Sequence, residues 1–139
     1  MRGVVLDAWA VLALLRGERP AADVVRRYVR RTADGRFEVL LNVVNLGEVL
    51  YRLIHIEGRA QATDRFTRFR RGPITIVPAR ESLVLEAAEL KGRYSLSYAD
   101  AFAVATARQA KLPIVTGDPE ILELPGSVVR VRRIVRRGR

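Results

Sequence analysis

Cysteine is absent from this 139-residue chain, and histidine occurs once, at position 55. The first absence excludes disulfides, thiolate metal centres and cysteine nucleophiles, and the second excludes any centre built on several imidazoles. A metal bound here would therefore sit among oxygens, which suits Mg²⁺ or Mn²⁺. Lysine is nearly missing too: Lys91 and Lys111 are the only ones, so the net charge of +10 rests almost wholly on arginine. Asn, Gln and Met are also scarce, a bias that suits a heat-adapted or GC-rich source. No apolar run approaches the ~20 residues of a membrane span, and the N-terminus shows no signal-peptide pattern. The expectation from these absences is a cytoplasmic chain without a membrane partner.

What is present is ordinary for a globular protein, with 49% hydrophobic and 29% charged residues. The length allows one domain over residues 1–139 with a proper core. The basic excess attracts polyanions, and because arginine pairs well with phosphate it points to nucleic acid as a partner.

Along the chain, apolar runs alternate with helical spacing. Gly3–Leu6 reads as a buried strand ending at Asp7, and Ala8–Leu15 continues as a helix. Ala21–Thr32 is a second helix, with Val24, Val25, Tyr28 and Val29 on one side and arginines 26, 27, 30 and 31 on the other. Asp34-Gly35 marks a turn before a strand at Phe37–Leu41. From Val43 the spacing places Val43, Leu46, Leu50, Leu53 and Ile54 on one helix face, and Asn45, Glu48, Arg52 and His55 on the opposite one. Ala60–Arg71 is a basic amphipathic helix with Phe66 and Phe69 inward. A strand at Ile74–Val77 and a helix at Glu81–Gly92 follow. A strand at Pro113–Thr116 leads to Asp118-Pro119, a good helix start for Ile121–Leu124. Val128–Val131 reads as a last strand, and the arginine-rich tail Arg130–Arg139 is expected to be mobile at its tip.

The organising stretch is Leu96–Ala107, apolar or small nearly all the way round, with Asp100 the only charge in its first turns. A carboxylate in such surroundings must be hydrogen-bonded, paired or bound to a cation. Ser97 and Asp100 fit a capping box, Asp7 and Asp118 fit helix caps, and Glu48 fits an ion pair with Arg52. Alternating strands and helices nevertheless imply a parallel sheet covered on both faces, whose ligands bind beyond the strands' carboxyl ends. That brings Asp7 and Asp118 to one rim.

Four pieces of the chain, Val4-Val5-Leu6-Asp7, Asn45-Leu46-Gly47-Glu48-Val49, Ser97-Tyr98-Ala99-Asp100-Ala101-Phe102 and Val115-Thr116-Gly117-Asp118, together resemble the PIN domain family, in the single-domain form of VapC-type toxins. The resemblance implies a three-layer α/β/α fold around a central parallel sheet of about five strands. It also implies that Asp7, Glu48, Asp100 and Asp118 gather around Mg²⁺ or Mn²⁺ with support from the Thr116 hydroxyl. The activity it implies is endonucleolytic cleavage of RNA. A homodimer, and a VapB-type antitoxin laid across the acidic rim, are the partners it implies. After Asp7 the chain departs from the family pattern, with Ala8 and Trp9 where Ser or Thr is common.

Other classes fit less well. A haloacid dehalogenase-type phosphatase wants a second Asp where Trp9 stands, and a phospho-receiver wants a lysine after a late strand, where neither lysine lies. The rival of a different class is a PIN-like protein that binds RNA or a partner without cutting. A pure binder of polyanions, however, gains nothing from clustered acids.

Overall fold

A computed structural model describes residues 1–138. The element order is β1 (Gly3–Leu6), α1 (Ala8–Leu15), β2 (Arg19–Pro20), α2 (Ala21–Arg30), β3 (Glu38–Asn42), α3 (Val43–Glu57), α4 (Arg59–Arg70) and β4 (Thr75–Val77). It continues with α5 (Glu81–Arg93), α6 (Tyr98–Ala110), β5 (Ile114–Thr116), α7 (Pro119–Leu122), β6 (Val131–Arg133) and β7 (Arg136–Gly138). Five strands form one parallel sheet in the order β4-β3-β1-β5-β6.

The strand pleat divides the core between two faces. Val4, Leu6, Val39, Leu41 and Val115 pack with the helices from α1 to α4. Val5, Leu40 and Ile114 turn the other way, onto α5 and α6. This is the expected three-layer α/β/α architecture. Because chain order reverses between β1 and β5, those neighbours mark the switch point, where the sheet leaves a crevice beyond its carboxyl ends.

Helix α6 is buried along Asp100–Ala107, as its composition requires. It ends at Lys111, which takes a left-handed conformation (φ 57°) just before Pro113. Beneath it, Asn42 caps α3 through Val44 N (2.8 Å) and donates to Thr106 Oγ1 (3.1 Å), whose hydroxyl donates to Phe102 O (2.8 Å). This satisfied polar chain joins β3, α3 and α6 inside the core.

Three readings need correction. The buried arc of α3 runs through Asn45, Leu46, Val49 and Leu53, while Val43 is exposed. The reason is that α3 packs against both α1 and α6, so its inward arc is wider and rotated from the simple two-face pattern. The last strand of the sheet is Val131–Arg133 rather than Val128–Val131: Val128 and Val129 are buried from a turn, and pairing begins where Val131 meets Ile114. The tail then forms β7, which pairs antiparallel with β2 in a small second sheet, and Ala21 N donates to Val135 O (2.9 Å). The expected mobile tip falls on Arg139, which lies outside the described residues.

Candidate metal centre

Asp7 follows β1 and caps α1, its Oδ1 accepting from Ala10 N at 2.9 Å. Its Oδ2 accepts from the Thr116 hydroxyl at the end of β5. Thr116 Oγ1 in turn accepts from Asp118 N at 2.9 Å, so one hydroxyl ties two acids from neighbouring strands. Asp118 caps α7 through Glu120 N at 2.9 Å. The helix-cap reading is thus correct for both residues, but capping occupies only part of a carboxylate's four lone-pair sites.

Asp100 departs from its expected capping box. Ser97 Oγ accepts from Asp100 N at 3.1 Å, but Ser97 N donates to Glu120 Oε1 at 3.1 Å rather than to the Asp100 carboxylate. That substitution releases the Asp100 carboxylate from cap duty. One ligand oxygen from each of Asp7, Asp100 and Asp118 lies within 4.8 Å of the others. At an effective dielectric of about 20, two unit charges at that separation repel by roughly 3 kcal/mol.

The acids respond as crowding and burial demand. Burial, with a smaller push from Asp118, raises Asp7 from 3.8 to about 7 against the opposing bonds from Thr116 and Ala10. Burial also raises Asp100 to about 8, helped by its hydrogen bond to Glu120 and by the charges of Asp118 and Asp7. Glu120 is held below its ordinary value by that same bond to Asp100. That bond favours the protonated form of Asp100 and the ionised form of Glu120.

Glu48 is not within the 4.8 Å group. It lines the same cavity of about 110 Å³, along with Trp9, Leu12, Arg52, Asp100, Asp118 and Arg136. The expected ion pair is present, Arg52 Nε donating to Glu48 Oε2 at 3.0 Å. Yet the Glu48 side chain is only 11% exposed, and its Oε1 is buried without a hydrogen-bond partner among the described residues. An orphaned buried carboxylate oxygen on a side chain that shares a cavity with Asp100 and Asp118 suits a cation better than an isolated surface pair does. Asn45 braces the region, donating from Nδ2 to Ala99 O at 2.9 Å and leaving its own Oδ1 unpartnered and buried. The donor set is all oxygen and hard, and so fits Mg²⁺ or Mn²⁺.

A larger depression of about 330 Å³ lies at the opposite edge of the sheet, between the end of α6 and residues 126–130. It holds no carboxylate, and its Arg108 is already committed to Glu86 at 2.8 Å.

Sequence reasoning missed Trp9, Glu120 and Arg136 at this site. Glu120 stands two residues after Asp118, and Trp9 two after Asp7, so proximity to the strand ends was a usable signal for both. Arg136, one of many tail arginines, offered none. Gly117 is the hidden condition: a Cβ there would fall 2.5 Å from Trp9 Cζ2 and 2.6 Å from Ile134 O.

A sequence model described as PIN domain matches residues 4–126. No curated protein matches the chain. Among solved structures, the chain resembles VapBC2 from Rickettsia felis bound to a DNA fragment from their promoter. The two share 12% identity over 96% of this chain and 99% of that one, with a TM-score of 0.73. DNA-bound VapBC from Salmonella typhimurium gives 13% identity, 96% and 98% coverage and a TM-score of 0.73. VapC20 from Mycobacterium tuberculosis, described as a sarcin-ricin loop cleaving toxin, gives 17% identity, 86% and 92% coverage and a TM-score of 0.66. At these identities the likeness speaks to the fold.

Proposed function

Since the chain belongs to the PIN domain family, we propose that it is a metal-dependent endoribonuclease and the toxin of a VapBC-type pair. The observation that carries this reading is the meeting of Asp7, Asp100 and Asp118 within 4.8 Å at the switch-point rim. On this reading these three residues and Glu48 hold Mg²⁺ or Mn²⁺. When bound, such an ion offsets charge on the phosphate and lowers the pKa of water.

The chain's own groups prepare the site for that ion. Thr116 and Ala10 N fix the rotamer of Asp7, Ser97 and Glu120 fix the start of α6 so that Asp100 faces Asp118, and Arg52 holds one oxygen of Glu48 while leaving the other available. Burial favours the protonated forms of Asp7 and Asp100, which eases their crowding, and a bound cation would favour the ionised forms. Arginines around the rim hold the RNA backbone. Two of the similar solved structures are VapBC assemblies, which supports a VapB-type antitoxin as the partner. A homodimer working in the cytoplasm completes the proposal, and light scattering checks the dimer.

Purified protein incubated with transfer, ribosomal and messenger RNA in Mg²⁺ or Mn²⁺ should cut at least one of them and stop in EDTA. RNA left intact in both metals at every protein concentration overturns the nuclease reading in favour of a non-cleaving RNA- or partner-binding protein.

A further inference from the structure

The acidic cavity adjoins a second one of opposite character, with three lining residues in common. This neighbour, about 230 Å³, shares Leu12, Arg52 and Arg136 with it and adds Arg16, His55 and Ile56. Four of its six lining side chains are basic and none is acidic. A strand of negative charges lying along the two cavities would pass from arginines to acids over a shared boundary formed by Arg52 and Arg136.

Arg136 is held at that boundary by construction. Its guanidinium lies 4.8 Å over the Trp9 ring. The backbone beneath it is fixed by the β2–β7 pairing, in which Pro20 stands opposite Arg136. Trp9 can lie under it only because residue 117 is glycine. Nη1 of Arg136 reaches Glu18 Oε1 at 3.3 Å, one hydrogen bond among the described residues for a group with five N–H donors. Glu18 also takes Arg16 at 3.5 Å and so bridges the two guanidiniums.

We propose that the cavity lined by Arg16, Arg52, His55 and Arg136 is a phosphodiester-binding track, with Arg136 on Trp9 gripping the phosphate next to the acid cluster. The ligand class is a single nucleic-acid strand, because several guanidiniums lining one groove suit a chain of phosphates and Trp9 adds an aromatic edge for a base. The track takes its direction from the nuclease reading but is tested apart from it. The competing view is that Arg16–Glu18–Arg136 is an ordinary surface ion-pair cluster of little energetic weight.

The test is binding of a short, fluorescein-labelled single-stranded oligoribonucleotide to the full chain in EDTA, followed by anisotropy and by the emission of Trp9, the only tryptophan. Wild type should bind with a change in Trp9 emission. Arg136→Ala should weaken binding about tenfold, the loss of one charge-assisted contact. It should also lower the log–log salt slope by roughly 0.7. Arg136→Lys should keep the slope. Arg70→Ala, which removes the same charge from exposed α4, should leave affinity and slope near wild type.

Equal behaviour of Arg136→Ala and Arg70→Ala overturns the track, as does saturated RNA binding that leaves Trp9 emission unmoved. An acidic peptide is the other polyanion such a groove could take. Poly-glutamate that shifts Trp9 emission where RNA does not would overturn the nucleic-acid assignment. If wild type cuts RNA and Arg136→Ala cuts with unchanged KM, the track falls and the nuclease reading stands. If Arg136→Ala loses binding while no metal supports cleavage, the track stands and the nuclease reading falls.

Discussion

Among single residues, Glu48 and Asp118 discriminate best between structural and catalytic roles, because each has a plain structural role that a conservative change preserves or spares. Glu48→Gln keeps a side chain able to accept from Arg52 but loses the charge beside the acid cluster. If Glu48 were only an ion-pair partner, the change would cost no more than about 1 kcal/mol of stability and leave activity intact. As a ligand group its loss should lower RNA cleavage by about a hundredfold or more with a nearly unchanged melting midpoint, as assays of purified variant and wild type would read. Asp118→Asn is the complementary case, since asparagine caps a helix about as well as aspartate. Asp118 raises both Asp7 and Asp100 through its charge, so neutralising it relieves repulsion in the metal-free protein. In EDTA at mildly alkaline pH its midpoint should rise by about 3 °C, and it should lose most of the gain that excess Mg²⁺ gives wild type. Equal midpoint shifts by Mg²⁺ in both proteins would leave Asp118 a cap and nothing more.

Between elements, the close approach of α1 to the β5–α7 turn governs the site's shape. Gly117→Ala places a methyl against Trp9 and the Ile134 carbonyl, and overpacking of this kind costs about 1–3 kcal/mol. Urea unfolding should show that loss, and Trp9→Ala should recover only part of it because the backbone of Ile134 remains in the way. This contact illustrates what could be read from the chain. Strands β1, β3 and β5 were legible because a run buried on both faces must be continuously apolar, and Asp7 and Asp118 followed from standing at strand ends. Glu48 was ambiguous, since its i,i+4 spacing to Arg52 is both a genuine ion pair at 3.0 Å and a distraction from its buried second oxygen. The β2–β7 pairing was not legible at all. Its strands are too short and too charged to show alternation, and only tertiary contact brings Arg136 from the tail onto Trp9. Asp100 lay between these cases: its isolation in an apolar helix announced a role, but its freedom depends on Glu120 taking over the bond to Ser97 N.

Across the whole molecule, the acid cluster links folding to pH and, on the proposed metal-site reading, to a divalent cation. Asp7 and Asp100 have folded values of about 7 and about 8, above the 3.8 of an ordinary aspartate. Between those limits the native chain retains protons that the unfolded chain has released, so its stability falls as pH rises. The fall begins near the unfolded value and levels off once both groups have ionised in the folded state. A divalent cation requires the deprotonated carboxylates, so its affinity grows through the same window. Binding only to the folded chain, it stabilises by RT ln(1 + [L]/Kd). Scanning calorimetry in EDTA should therefore show the midpoint falling from about pH 5 to about pH 8. With excess Mg²⁺ or Mn²⁺ the fall should flatten, and the gap between the two curves should widen with pH. Asp100→Asn removes one titrating group and one ligand together, so its EDTA curve should be flatter than that of wild type and its metal-dependent gap smaller. An EDTA midpoint that rises with pH, or a metal-dependent gap that is the same at both ends of the range, would mean that these buried acids are not neutralised by protons and cations in turn.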